Sequence, residues 1–331
     1  MRKWNRPVSI GERRGFYEVW YFKLNLGSGL PALWLRLTTL HTQDGSKKVA
    51  ETWGIFFDPA KHPTERIAVK NTYPISDFSF DIASEKVQVS KCFLSPGHTA
   101  GEIESGKNNI RWDLRFSANK GGSFDPVPKI FKALRLNKST VCTPEESIRF
   151  NGKFWVNGRE YTATDAPGMQ GHIYGKQYAH SWAWGHCNLV DASEDFVFEG
   201  LTVRLPLLGG LILSPPLSMF YIKFDGLEYK FATIYEALKI NSKYSLSGWS
   251  FELQLGDMRF EGEIIATLTD FVGVQYEDTD KSNRYCHNSK VSNLLLHVYK
   301  SKTLIRTIKA TQTCAFELVT SQKLAGVDFL I

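Results

Sequence analysis

The stretch Phe16–His41, FYEVWYFKLNLGSGLPALWLRLTTLH, decides the fold class. It holds two aromatic and apolar runs, Phe16–Leu24 and Ala32–His41, on either side of Gly27-Ser-Gly-Leu-Pro31. Two such runs around a short Gly- and Pro-containing segment read as a β-hairpin. The same rhythm continues through Glu51–Phe57, Arg66–Asn71, Lys86–Leu94, Gly101–Ser105 and Asn109–Ser117, each bounded by Gly, Pro, Asn or Asp. Short strands separated by turn residues predict a meander barrel or sandwich rather than βαβ units.

The rhythm breaks between Ser123 and Glu146. Pro126 and Pro128 precede a short helix over Lys129–Leu136, and the polar run Asn137–Glu146 reads as a connection. Strands resume at Ile148–Phe150 and Lys153–Val156, with Asn157-Gly158 as a type I′ turn before Arg159–Ala163. They continue from Gly171 to Val319, interrupted by a second short helix over Thr233–Asn241. The expected organisation is a β-barrel over residues 1–122, a linker with a helix over 123–147, and a second barrel over 148–331. The two halves match in length and rhythm, as a duplicated β unit would, without a residue-level repeat.

The chain has 331 residues, 43% hydrophobic and 13% aromatic, enough for a packed core. Its net charge of +6 comes from 40 basic and 34 acidic residues spread along the chain. No stripe of Lys and Arg with interleaved aromatics points to nucleic acid. Arg2, Lys3, Arg6, Arg13 and Arg14 form one basic cluster, which could touch an anionic membrane surface but reads more simply as a solvated, frayed end. Trp4–Gly15 has no continuous apolar segment of the secretory kind. Leu205–Met219 is apolar but broken by prolines and glycines, too short for the roughly 20 residues of a membrane span. These features predict a cytoplasmic protein and leave the oligomeric state open. Five widely spaced cysteines form neither a disulfide framework nor a zinc pattern and read as buried free thiols.

The richest segment for function is His180-Ser-Trp-Ala-Trp-Gly-His-Cys-Asn188. In a strand His180, Trp182, Trp184, His186 and Asn188 share one face, and Ser181, Ala183, Gly185 and Cys187 the other. The large face suits the wall of an apolar cavity with a few polar handles; the plainer reading is core aromatics with satisfied histidines. His180 and His186 lie about 20 Å apart on a straight strand, too far to share a metal. Just upstream, Asp165-Ala-Pro-Gly-Met-Gln-Gly-His-Ile-Tyr-Gly175 reads as an approach loop that places Gln170, His172 and Tyr174 on one face, with Asp165 able to orient His172 or Tyr174. In the first half Glu18 and Trp20 share a face, as do Trp34 and Arg36, and Glu51 and Trp53 open the third strand. Facing inward, a carboxyl among indoles gains a raised pKa and can act as a general acid; facing outward, Glu18 and Arg36 are a surface pair. Cys286-His287-Asn288 is a weaker polar triplet, because adjacent strand residues point oppositely.

Phe16-Tyr-Glu-Val-Trp-Tyr, Glu51-Thr-Trp, Trp112-Asp-Leu, Gly168-Met-Gln-Gly-His and the His180–Asn188 segment resemble the double-lipocalin superfamily of carotenoid 1,2-hydratases (hydroxyneurosporene synthases), tocopherol cyclases and fungal lipocalin-like Diels–Alderases. The resemblance implies two antiparallel calycin-like barrels in tandem. It also implies a hydrophobic, often isoprenoid, ligand and chemistry without metal or other cofactor. His180-x-Trp182 is similar to the hydratases' His-x-Trp element. Their Tyr-x-Asp element has its nearest counterpart in Tyr276-Glu-Asp278, much further along the chain than expected. The resulting expectation is a cofactor-independent hydratase, cyclase or isomerase acting on a polyene, with His180, His172 and Asp165 as catalytic candidates. Trp182, Trp184, His186, Asn188, Tyr174, Gln170, Trp20, Trp53 and Glu18 are the candidate ligand contacts. The alternative is a non-catalytic carrier with the same pocket.

Overall fold

The computed structural model describes residues 6–9, 13–61, 65–118, 122–127, 138–192, 195–207 and 210–331, without the side chain of residue 118. The deciding hairpin forms as read. β1 (Phe16–Asn25) and β2 (Ala32–His41) pair from Phe16↔His41 to Asn25↔Ala32. They continue into β3 (Lys48–Phe57) and β4 (Ile67–Pro74). Four short strands follow, β5 (Phe78–Asp81), β6 (Lys86–Val89), β7 (Cys92–Ser95) and β8 (His98–Ser105), and then β9 (Asn108–Ala118), β10 (Ser139–Val156) and β11 (Arg159–Gly175). The run Lys86–Leu94 is two strands, because Ser90 takes a left-handed φ of 51° between them.

These strands form one 11-stranded antiparallel sheet in the order β4-β3-β2-β1-β11-β10-β9-β8-β7-β6-β5. The sheet curls until β4 faces β8, where the Asn71 side chain donates to Glu104 O at 2.8 Å and accepts from Glu104 N at 3.2 Å.

The second sheet uses β12 (Ser181–Cys187), β13 (Val197–Arg204), β16 (Leu217–Phe224), β17 (Leu227–Phe231), β18 (Asn241–Ser245), β19 (Gly248–Leu255), β20 (Met258–Ile265), β22 (Asn283–Lys300) and β23 (Thr303–Thr320). Its order is β17-β16-β13-β12-β23-β22-β20-β19-β18, and β21 (Val272–Glu277) pairs with the first part of β22. A small hairpin, β14 (Pro206–Leu207) with β15 (Ile212–Leu213), stands beside it. Both barrels follow one plan: the first strand pairs with the last, β1 with β11 and β12 with β23. The duplication expected from rhythm is therefore visible as topology.

Residues 139–175 lie in the first sheet, where β10 pairs with β9 and β11 pairs with β1. The chain therefore passes from one sheet to the other between Gly175 and Ser181, not across residues 123–147. The supposed connection Asn137–Glu146 and the supposed approach loop from Asp165 are largely strand. Bulges between Cys142 and Ile148 and at Phe150/Gly152 fragment the alternation that would have announced it. Asn157-Gly158 does form the predicted turn, with φ of 50° and 80°. The second predicted helix is α1 (Ile234–Lys239), opened by a capping box in which Thr233 Oγ1 accepts from Glu236 N at 3.2 Å. The first, over Lys129–Leu136, lies outside the described residues, as do Arg2 and Lys3. The start of the chain from Arg6 to Ser9 is not frayed: Arg6 pairs with Glu85 at 2.5 Å, and the amides of Val8 and Ser9 donate to the Glu18 carboxylate.

The described residues form three apolar cores. Trp20, Phe22, Leu35, Phe150 and their neighbours fill the first barrel, and Phe198, Phe220, Trp249, Phe251 and theirs fill the second. The third lies in the seam between the barrels and joins Tyr17, Tyr21, Trp34 and Trp53 from the first to Trp184 and Tyr276 from the second. All five cysteines are buried free thiols. Among the described residues no helix is long and apolar enough to cross a membrane.

Candidate functional site

Period-2 alternation makes the seam. On β1, Trp20 and Phe22 point into the first barrel, while Tyr17, Val19 and Tyr21 point to the partner barrel. On β12 the small face, Ala183 and Cys187, belongs to the second barrel's core. Gly185 lies so close to it that an added Cβ would sit 2.5 Å from Ile264 Cδ1. The large face, Trp182 and Trp184, turns to the seam, as the alternation predicted. Where the two seam faces do not meet they leave a cavity of about 410 Å³.

One part of the cavity wall is aliphatic, with Leu201, Val203, Leu217 and Met219 from the second sheet and Ile234 and Ala237 from α1. The other part is aromatic. Tyr17 stacks on Tyr178 at 4.1 Å, Tyr178 on Trp182 at 5.9 Å, and Tyr276 lies 6.2 Å from Tyr178. Tyr21 meets Trp184 edge to face at 6.0 Å. Burial pushes the phenols of Tyr17, Tyr21, Tyr178 and Tyr276 up, so all four are neutral hydrogen-bonding groups.

Two buried polar stations interrupt this wall. At the first, Arg36 donates Nε–H to Thr38 Oγ1 at 2.8 Å and Nη2–H to Tyr178 OH at 3.1 Å, with its guanidinium over the rings of Tyr276 at 4.3 Å and Trp53 at 5.1 Å. At the second, Glu317, directly opposite Trp184 in the β12–β23 register, accepts from Lys290 Nζ at 2.8 Å and Asn288 Nδ2 at 3.1 Å. Lys290 is fully buried, with its ammonium 5.5 Å from the Trp184 ring and 5.8 Å from that of Trp34. Beside the cavity, Asp278 accepts from the amides of Tyr178 and Thr279 at 2.9 and 2.7 Å, and burial pushes its carboxyl up to about 6.

The seam also holds a dry acid pair. Glu199 accepts from Trp184 Nε1 at 2.7 Å and from Thr143 Oγ1 at 2.9 Å, and its carboxyl faces that of Glu146. Burial, then the neighbouring Glu199, pushes Glu146 well above the usual carboxylate range, and burial raises Glu199 as well. A proton on either carboxyl relieves the repulsion between the two. His186 sits against this pair and donates Nε2–H to the backbone carbonyl of Glu146 at 2.9 Å. Burial holds it neutral, its pKa well below the ordinary value. Fully buried Lys23 reaches Asn25 Oδ1 at 3.2 Å, and desolvation lowers its pKa to about 8.

The structure divides the residues singled out in the sequence. Trp182 and Trp184 line the cavity. His186 and Asn188 share their face but lie deeper in the seam, where Asn188 Nδ2 donates to Gly168 O at 2.7 Å. His180 is partly exposed, 3.4 Å from Ser181 Oγ, with its pKa lowered by desolvation; its neighbours Ala179 and Trp182 line the cavity, and His180 itself does not. His172 is fully buried in the first barrel, 2.9 Å from Glu18 Oε1 and stacked on Trp20 at 5.2 Å. Tyr174 lies 5.2 Å from the His172 ring, and Gln170 pairs across from Phe22. These residues, with Glu18 and Trp20, form a polar cluster of the first barrel rather than a wall of the cavity. Asp165 is exposed at a bulge of β11, with φ of 50°, and its amide donates to Asn151 Oδ1, so it does not orient His172. Trp53 is buried behind Arg36. Of the triplet, Cys286 and Asn288 approach Glu317 while His287 turns away to Leu318 O and Phe329. Tyr276, distant in sequence from His180-x-Trp182, comes back to the same cavity. Glu317, Lys290, Tyr178 and the Glu146–Glu199 pair were not anticipated. For the two glutamates Glu199 and Glu317 the signal is a charge set inside an apolar strand run, as in Phe196-Val-Phe-Glu199 and Cys314-Ala-Phe-Glu317.

No family model matches the chain. An uncharacterised protein of Mycobacterium tuberculosis is 23% identical over 282 residues, which span 85% of this chain and 80% of the relative. Among solved structures, kievitone hydratase from Nectria haematococca superposes with a TM-score of 0.56 at 9% identity, over 96% of this chain and 91% of that one. CghA superposes with a TM-score of 0.56 at 7% identity, over 92% and 88%, and has also been crystallised with Sch210972. An AttH-like protein from Nitrosomonas europaea gives 0.54 at 10% identity, over 92% of each chain.

Proposed function

The chain is a double-lipocalin protein by fold, and on that premise we propose that the cavity between its barrels binds a hydrophobic small molecule and converts it by hydration, cyclisation or isomerisation. The observation that carries this reading is the Glu317 carboxylate set into an aromatic cavity wall beside Trp184. A polyene or isoprenoid folded against this wall meets indole faces that share a developing positive charge and a carboxylate that balances it or accepts the proton it releases. The Arg36–Tyr178 station holds a polar oxygen of the same molecule: Tyr178 OH accepts from Arg36 and keeps its own proton to donate. Protonating an alkene or pre-folding a polyene is chemistry that side chains alone supply, so the reading assigns no cofactor. His172 and Asp165 have no part in it, and His180 is at most a rim group.

Mass spectrometry of apolar extracts from the purified protein identifies the bound molecule, and incubation with that molecule or its precursor tests conversion. Glu317→Gln is expected to lower turnover at least about 100-fold while ligand binding persists. His180→Ala is expected to leave binding within about twofold, because the ring is outside the cavity. Full turnover by Glu317→Gln would remove the catalytic reading. A carrier is the second reading, favoured by the saturation of Glu317 with Lys290 and Asn288; recovery of an unconverted ligand under every condition selects it.

A further inference from the structure

Arg36 is a buried guanidinium that forms no salt bridge among the described residues, and the carboxylate whose field reaches it, Glu51, is shared with Lys70. Its Nε and Nη2 hydrogen bonds go to the neutral oxygens of Thr38 and Tyr178, and among the described residues Nη1 has no acceptor. The nearby carboxylates are committed elsewhere. Glu51, one strand away on β3, pairs with Lys70 at 3.0 Å and accepts from Thr72. Asp278 holds the amides of Tyr178 and Thr279. Glu317 is matched by Lys290. The four tyrosines on the wall are neutral, because burial raises each phenol. Besides Arg36, the ionisable side chains on the cavity wall are these tyrosines, Glu317 and Lys138, and Lys138 adds a second positive charge. A buried charge is normally paired, because desolvating it alone is expensive. Here Trp53 and Tyr276 hold the guanidinium between their rings, and Thr38 and Tyr178 fix its orientation.

We propose that the direct counter-ion Arg36 lacks is the ligand's own: the cavity takes a carboxylic acid, whose carboxylate sits on Arg36 Nη1 and Tyr178 OH while its apolar body fills the aliphatic part of the cavity. This rests on the reading of the cavity as a small-molecule site and adds its substrate class. A neutral molecule of the same shape leaves Arg36 unpaired and binds less well.

Retinoic acid and retinol share a polyene body and differ only at the head group, so they separate the two ideas. Binding is followed by quenching of the cavity tryptophans Trp34, Trp182 and Trp184. The wild-type protein is expected to bind retinoic acid at least about tenfold more tightly than retinol. Arg36→Met is expected to abolish that preference by weakening the acid alone, and its retained binding of retinol reports that the cavity is still formed. If Arg36→Met fails to fold, the wild-type ratio decides by itself. Equal binding of acid and alcohol by the wild-type protein overturns the acid preference and leaves the small-molecule site standing. Binding of neither overturns both.

Discussion

Trp184 donates its indole N–H to Glu199 Oε1 at 2.7 Å, which ties the cavity wall to the buried acid pair beneath it. Glu199→Leu deprives both Trp184 and Thr143 of an acceptor and is expected to destabilise the protein by about 1–3 kcal/mol. Glu199→Gln keeps a carbonyl oxygen for Trp184 and is expected to cost clearly less. Urea unfolding compares the two, and equal losses would mean that the hydrogen bond contributes nothing of its own.

The acid pair also gives stability a direction in pH. Glu146 titrates well above the ordinary carboxylate range in the folded chain, chiefly through burial and then through Glu199. The folded protein therefore holds a proton that the unfolded chain releases above about pH 4.3. Stability contributed by this group is complete below that point and declines as pH rises toward the folded-state value, by up to about 1.4 kcal/mol per unit. Glu146→Gln imitates the protonated acid and is expected to gain on the wild-type protein in thermal unfolding as pH rises above about 4.3. Parallel pH profiles for the two proteins would refute a protonated Glu146.

Lys23 works in the opposite sense. Its pKa falls to about 8 because the ammonium is desolvated. The unfolded chain keeps the proton until about pH 10.4, so stability rises with pH across the interval between the two values. Lys23→Met is expected to stabilise the protein by up to about 3 kcal/mol at pH 7, with the advantage fading by about pH 10. A gain that is the same at both pH values would assign the effect to packing rather than to charge.

Gly185 is the point where β12 lies closest to the core of the second barrel. A Cβ there would meet Ile264 Cδ1 at 2.5 Å, a contact too short to keep. Gly185→Ala is expected to cost about 1–3 kcal/mol. Adding Ile264→Val, which removes that methyl, should recover part of the loss despite its own cavity. Additive losses in the double variant would show that the clash is relieved in some other way.

What could be read from the sequence was what short-range periodicity carries. The hairpin at Phe16–His41, the turn at Asn157-Gly158 and the large and small faces of His180–Asn188 all follow from residue type and spacing. Their destinations do not, because both faces of β1 and of β12 are buried. Alternation says that Trp20 and Tyr21 part company, and it does not say which of them meets the other barrel. The β1–β11 pairing joins Trp20 to His172 across most of the first barrel's chain length, so no local pattern could move β10 and β11 into the first sheet. The same long-range pairing turned Gln170 and His172 inward, away from the cavity where the sequence had placed them. Glu317 and Lys290 were overlooked because a single charge in a strand reads as a solvent-facing residue until the second covering layer is known.

The cavity belongs to neither barrel, and this separates two demands that compete in a ligand site enclosed by one core. On β1, Trp20 packs the first barrel while its neighbours Val19 and Tyr21 face the cavity. On β12, Ala183 packs the second barrel while Trp182 and Trp184 face the cavity. Adjacent positions in one strand thus answer to different selection, one for folding and the next for the shape of the guest. Such a chain can change what it holds by single substitutions at alternate positions, with both barrels left to fold as before.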